Sequence, residues 1–242
     1  MRRRKTASPG DPAAQAFAGS NPAPRTSGRP DAPEPRRPAP RRSELTRLLA
    51  GLEGFSDPDP GLEQVATPPE AAVELLAEAL ARGDLAGRTV ADLGSGTGVL
   101  ALGAALWGAA SVRGIERDPR AAACSRRNAA RCGVSFAPVV GEVAAFGGTV
   151  DTVVMNPPFG AQRRGADRPF WETAARAAGG SIYAFALADS RTFIATWAVR
   201  ALRPIAATRP IRWTLPATFP HHVRRRVELA VDLWVLGPAR IP

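Results

Sequence analysis

The stretch Val90-Ala91-Asp92-Leu93-Gly94-Ser95-Gly96-Thr97-Gly98-Val99-Leu100 decides how this chain of 242 residues folds. Apolar residues suited to a buried strand run into an acid and three alternating glycines, and apolar residues resume at Val99 with helical spacing. Strand, glycine turn and helix in that order open a strand–helix–strand unit of a parallel sheet. A dinucleotide fingerprint would space its glycines GxGxxG, whereas DxGxGxG is out of phase with it. A nucleoside without a pyrophosphate suits the turn better. Gly94, Gly96 and Gly98 let the backbone pass close to a ligand without a Cβ clash, and Asp92 offers a carboxylate to the ammonium of an amino-acid moiety.

Outward from this turn the pattern keeps alternating. Residues 111–115, 136–140, 149–155 and 181–186 read as strands, and 119–131, 170–178 and 190–202 as helices. Ahead of the strand over 88–93, Thr67-Pro68-Pro69-Glu70 reads as a helix start with Thr67 at the N-cap, and Ser43-Glu44-Leu45 as another. Residues 210–215 and 227–236 both look extended with no helix between them, so they should pair antiparallel at one sheet edge. The expected fold is α/β and Rossmann-like, a seven-stranded, mostly parallel sheet with an antiparallel strand at one edge and helices on both faces.

Acids recur where successive strands end. Gly114-Ile115-Glu116 places Glu116 where a ribose diol can donate to both carboxylate oxygens. After the third strand, Glu142 and Val143 can hold an adenine amino group and pack its ring. The fourth strand runs into Asn156-Pro157-Pro158-Phe159-Gly160. Its prolines fix φ and remove two N–H donors, leaving rigid carbonyl acceptors, and Asn156 adds a side-chain oxygen. An exocyclic or amide nitrogen that donates to both acceptors can turn its lone pair toward an electrophilic methyl, with Phe159 stacked on the attached planar group.

These residues resemble the class I S-adenosylmethionine-dependent methyltransferases, and within them the methyltransferase-like protein 5 family. The resemblance rests on Leu62-Glu63-Gln64 with Thr67-Pro68, the Asn156 to Gly160 motif, Gly165-Ala166-Asp167 with Phe170, and Leu215-Pro216-Ala217-Thr218-Phe219, and it covers about residues 54–236. It implies an enzyme that methylates adenosine N6 in small-subunit ribosomal RNA. It further implies that Gln64 and Thr67 touch the methionine end of S-adenosylmethionine, that Gly94, Thr97 and Val99 line its pocket, that Glu116 takes the ribose and Glu142 and Val143 the adenine, and that Asn156, Pro157, Pro158 and Phe159 hold the base. A small zinc-binding activator subunit often accompanies the family. Three departures stand out: Val65 replaces a usual tyrosine, Ala186-Leu187 replace His-Lys, and Glu116 and Glu142 replace aspartates. A protein glutamine amide and DNA adenine are alternative substrates for the same corner, and a scaffold with a vestigial pocket is the non-enzymatic alternative.

Charge says less. The net +10 is concentrated in residues 1–43, which hold ten Arg and Lys against three acids and nine of the 24 prolines. That segment reads as a disordered basic tail, followed by one methyltransferase domain over 44–242. Near the end, His221-His222-Val223-Arg224-Arg225-Arg226 offers Arg224, Arg225 and Arg226 as phosphate contacts to RNA. The only cysteines, Cys124 and Cys132, form no metal-ligand spacing with the two histidines, so no metal site is expected. No run is apolar enough to cross a membrane, so a cytoplasmic protein is expected.

Overall fold

In the computed structural model of the chain, residues 38–160, 163–216 and 226–240 are described. Most of the expected basic tail, together with His221, His222, Arg224 and Arg225, lies outside them. So does the side chain of Arg226.

Among the described residues seven strands and six α-helices follow one another, alternating from β1 to β6 apart from the helix-free step between β3 and β4. α1 (Arg42–Ala50) and α2 (Pro69–Ala81) precede β1 (Thr89–Leu93), α3 (Val99–Leu106), β2 (Ser111–Glu116), α4 (Pro119–Cys132) and the short β3 (Val139–Val140). β4 (Thr152–Met155), α5 (Arg168–Ala177), β5 (Ile182–Leu187), α6 (Arg191–Arg200), β6 (Ile205–Pro216) and β7 (Arg226–Leu236) follow. The sheet order is β3-β2-β1-β4-β5-β7-β6. Pairings among β1 to β5 are parallel, and β7 runs antiparallel to both β5 and β6. The reversed strand therefore lies one place in from the edge, and β6 is the edge. Among the described residues no helix is long and apolar enough to cross a membrane.

Side chains of successive strand residues point to opposite faces, and each face has its own core. Tyr183, Phe185, Val154 and Trp213 join Leu45, Leu75 and Leu76 of α1 and α2 on one side. Val153, Met155, Ile182 and Trp234 join Trp171 and Ile194 of α5 and α6 on the other. Arg203, only 3% exposed, closes the far end of α5 by donating from its two Nη groups to the carbonyls of Ala175, Ala178, Gly180 and Gly237, which offsets part of the cost of burying a cation.

Three local expectations change. Ser43 lies inside α1, whose N-cap is Arg41, and Thr67 precedes the N-cap Pro68 of α2 without capping it. β3 shrinks from 136–140 to two residues, because Phe136 turns into the core and Pro138 has no N–H for a ladder. β6 begins at Ile205, five residues before the expected start, and runs through Pro210, which an edge strand tolerates.

Candidate active site

β2 and β4 flank β1, so the sheet order reverses direction beside β1, and a crevice opens outside the carboxyl ends of the strands. A cavity of about 290 Å³ occupies it. Gln64, Thr67, Asp92, Gly94, Gly96, Thr97 and Val99 line it from the β1 side. Glu116, Glu142 and Val143 line it at the ends of β2 and β3, and Asn156 and Pro158 at the end of β4. Gly98, Pro157 and Phe159 are not part of that lining, and Phe159 packs half-buried against the core.

The glycine turn owes its shape to protein contacts as well as to any ligand. Gly94, Gly96 and Gly98 all have positive φ (72°, 52° and 95°), a region costly for other residues. A Cβ on Gly94 would lie 2.7 Å from Phe170, and one on Gly98 would lie 2.5 Å from Ser125 Oγ. Gly96 faces the ring of Phe55, an aromatic residue that the sequence reading passed over although it stands alone among small, acidic and proline residues.

Two buried carboxylates frame this turn. Asp92 is 1% exposed and its Oδ2 accepts the Ala101 N–H at 2.9 Å, tying β1 to α3. Burial pushes its carboxyl up to about 7; the Ala101 N–H opposes the rise and the charge of Glu116 adds to it. Glu116 Oε2 accepts from Gly96 N–H at 2.8 Å and Oε1 from Asp118 N–H at 2.9 Å. Each oxygen keeps a further lone pair, so two hydroxyl donors fit without displacing the backbone. Glu142 is exposed and ion-paired with Arg117 at 3.1 Å, while Val143 is buried.

Gln64 is engaged by the protein itself. Its Oε1 accepts from Asp59 N–H at 2.7 Å and its Nε2 donates to Asp118 Oδ2 at 2.8 Å. Burial works against the Asp118 charge, yet hydrogen bonds from Gln64 and Arg120, with the Arg120 guanidinium beside it, hold its carboxyl below the usual range. Asp118, capping α4 through the Arg120 N–H, is a site-shaping residue that the Asp-Pro helix start could have revealed.

At the β4 end, Asn156 Nδ2 donates to Thr67 Oγ1 at 3.1 Å and Val65 O at 3.4 Å. Its Oδ1 is buried with no hydrogen-bond partner. Phe159 is backed edge-on by Trp213 at 5.8 Å, and Trp213 by Phe185 at 4.9 Å. Among the described residues no group of three or more His, Cys, Asp or Glu side chains could hold a metal ion.

Strand order and crevice together are those of a class I methyltransferase. The family description "Methyltransferase small domain" matches residues 67–181. The rRNA N(6)-adenosine-methyltransferase Mettl5 of Drosophila melanogaster is 30% identical over 79% of this chain and 93% of its own length. METTL5 of Danio rerio is 32% identical over 78% of this chain and 95% of its own. The chain belongs to this METTL5 family of rRNA N6-adenosine methyltransferases. A crystal structure from Pyrococcus horikoshii, described as a candidate RNA methyltransferase, superposes with a TM-score of 0.77 at 36% identity, covering 83% of this chain and 99% of that one.

Proposed function

We propose that this enzyme transfers a methyl group from S-adenosylmethionine to N6 of an adenosine in small-subunit ribosomal RNA. The observation that carries the reading is Asn156. Its amide nitrogen is spent on Thr67 and Val65, so its partnerless Oδ1 is presented as an acceptor beside the double-proline corner. Leaving a buried acceptor unpaired costs about 1–3 kcal/mol, and a donor amine would remove that cost.

The residues fit the cofactor. Ser95 Oγ is buried at the cavity wall without a partner, and acids stand at three successive strand ends. Asp92 would meet the ammonium, Glu116 the ribose diol, Glu142 and Val143 the adenine, with Thr67, Gly94, Thr97 and Val99 shaping the path between. Gln64 would act by fixing the loop rather than by a bare side-chain contact, because both ends of its amide are already bound. The bound cofactor supplies an electrophilic methyl on a sulfonium.

Asn156 Oδ1 and a proline carbonyl of the corner would accept the two protons of the adenine amine. This twists the amine out of conjugation and aims its lone pair along the line of attack. The amine nitrogen, held by Asn156 and the corner, would take the methyl that the sulfonium supplies, its bond to sulfur being replaced by the new N–C bond and a neutral thioether being the other product. The proton then leaves the cationic nitrogen for water, so no strong base is needed. Phe159, stiffened by Trp213, would stack on the flipped base. Arg224, Arg225 and Arg226 would hold phosphates. The exposed Val139 and Val140 on the open β3 edge support a zinc-binding activator subunit as a partner.

With labelled S-adenosylmethionine and small-subunit rRNA, wild type should label adenosine. Asn156→Ala should lower turnover by about 10²–10³-fold while cofactor affinity stays nearly unchanged. Survival of turnover in Asn156→Ala, or label in a protein glutamine instead of RNA, would overturn the reading.

A further inference from the structure

The two ends of the Asn156–Gly160 corner are held by one short segment, residues 63–67, and its first residue has no role yet. Thr67 and Val65 fix the Asn156 amide at one end. At the other, Glu63 Oε2 accepts the Gly160 N–H at 2.9 Å. Glu63 lines the same cavity. It is also one of only two non-glycine residues with positive φ (49°) among the described residues, and the Val65 N–H closes back onto its carbonyl at 2.8 Å. A glycine would occupy that backbone with less strain, so the side chain is what the position gains from glutamate.

We infer that Glu63 is a positioning residue for methyl transfer. The prolines at 157 and 158 fix φ at two consecutive residues, which leaves the corner few free rotations. Binding the Gly160 N–H orients the Phe159–Gly160 peptide, and the Asn156 anchor orients the other end. The carbonyls between them are then held in one direction before the amine arrives, which is where small errors of geometry slow a transfer most. Because Gln64 ties the same segment to Asp118, and Asp118 N–H ties to Glu116, the segment shares its framework with the wall proposed for the ribose. The inference rests on the methyl-transfer reading above.

The test compares wild type, Glu63→Gly and Glu63→Gln. Glu63→Gly relieves the backbone and removes the acceptor; Glu63→Gln keeps an acceptor oxygen. Glu63→Gly should stay folded and bind S-adenosylhomocysteine within about twofold of wild type, while kcat falls by about tenfold or more. Glu63→Gln should recover most of the loss. Wild-type kcat in Glu63→Gly, a kcat loss matched by an equal loss of S-adenosylhomocysteine affinity, or no recovery in Glu63→Gln would overturn the inference. If Glu63→Gly does not fold, Glu63→Gln against Glu63→Met, similar in size without an oxygen, reads the same contrast. Label in wild type alone tests the choice of rRNA; the contrast among variants is scored on whichever planar amine wild type methylates, so the two failures are distinct.

Discussion

Asp92 is a buried carboxyl on the cavity wall. Burial raises its pKa from the usual 3.8 to about 7, so between those values the folded chain holds a proton that the unfolded chain has released. Stability contributed in this way is present below pH 4 and is lost as pH rises toward 7, by up to about 1.4 kcal/mol per unit. Urea melts of the ligand-free protein at pH 5 and pH 8 should show that fall, and Asp92→Asn should flatten it. An ammonium bound beside Asp92 needs the ionised form. S-adenosylhomocysteine affinity measured by calorimetry should therefore weaken below pH 7 by up to about tenfold per unit, and a pH-independent affinity would remove Asp92 from the cofactor site. The pattern of the sequence revealed the acid and its place at the end of β1. Its burial, and the Ala101 hydrogen bond that accompanies it, depend on how α3 packs and were not legible.

At the scale of elements, the glycine turn and the aromatic stack make separate demands. Gly98 combines a φ of 95° with a Cβ position 2.5 Å from the fully buried Ser125. Gly98→Ala should destabilise the fold by about 2 kcal/mol in a denaturant melt, while a loss under about 0.5 kcal/mol would mean that α4 shifts freely. Trp213 is 1% exposed between Phe159 and Phe185. Trp213→Ala should cost about 3–5 kcal/mol and also lower turnover through Phe159.

Alternation of strand and helix was legible because a short unbroken apolar run follows Gly179-Gly180 over 182–187, whereas apolar residues keep a helical period over 119–131. Strand lengths were less so. Pro210 looks like a boundary in sequence, yet it pairs opposite Asp232 within β6, because only the fold makes that strand an edge. Local pattern likewise could not show that Thr67 spends its hydroxyl on Asn156 across 89 positions of sequence rather than on a helix cap.

Along the whole chain, net charge is spread unevenly. Asp92, Glu116 and Glu142 line the cavity, while eight of the 32 Arg and Lys lie in residues 1–37, ahead in sequence of a compact unit that begins at Ala39. Deleting residues 1–37 should leave the melting temperature and kcat unchanged, weaken RNA binding at low salt, and reduce the slope of log Kd against log salt by counterion release. An unaltered slope would show that those arginines do not meet RNA.

The most direct measurement is nucleoside mass spectrometry of small-subunit rRNA incubated with the full chain and S-adenosylmethionine. N6-methyladenosine should accumulate toward one per RNA molecule with wild type and stay near background with Asn156→Ala. Unmodified adenosine from a wild-type chain that binds the cofactor, or methylation at any other base position, would contradict the account.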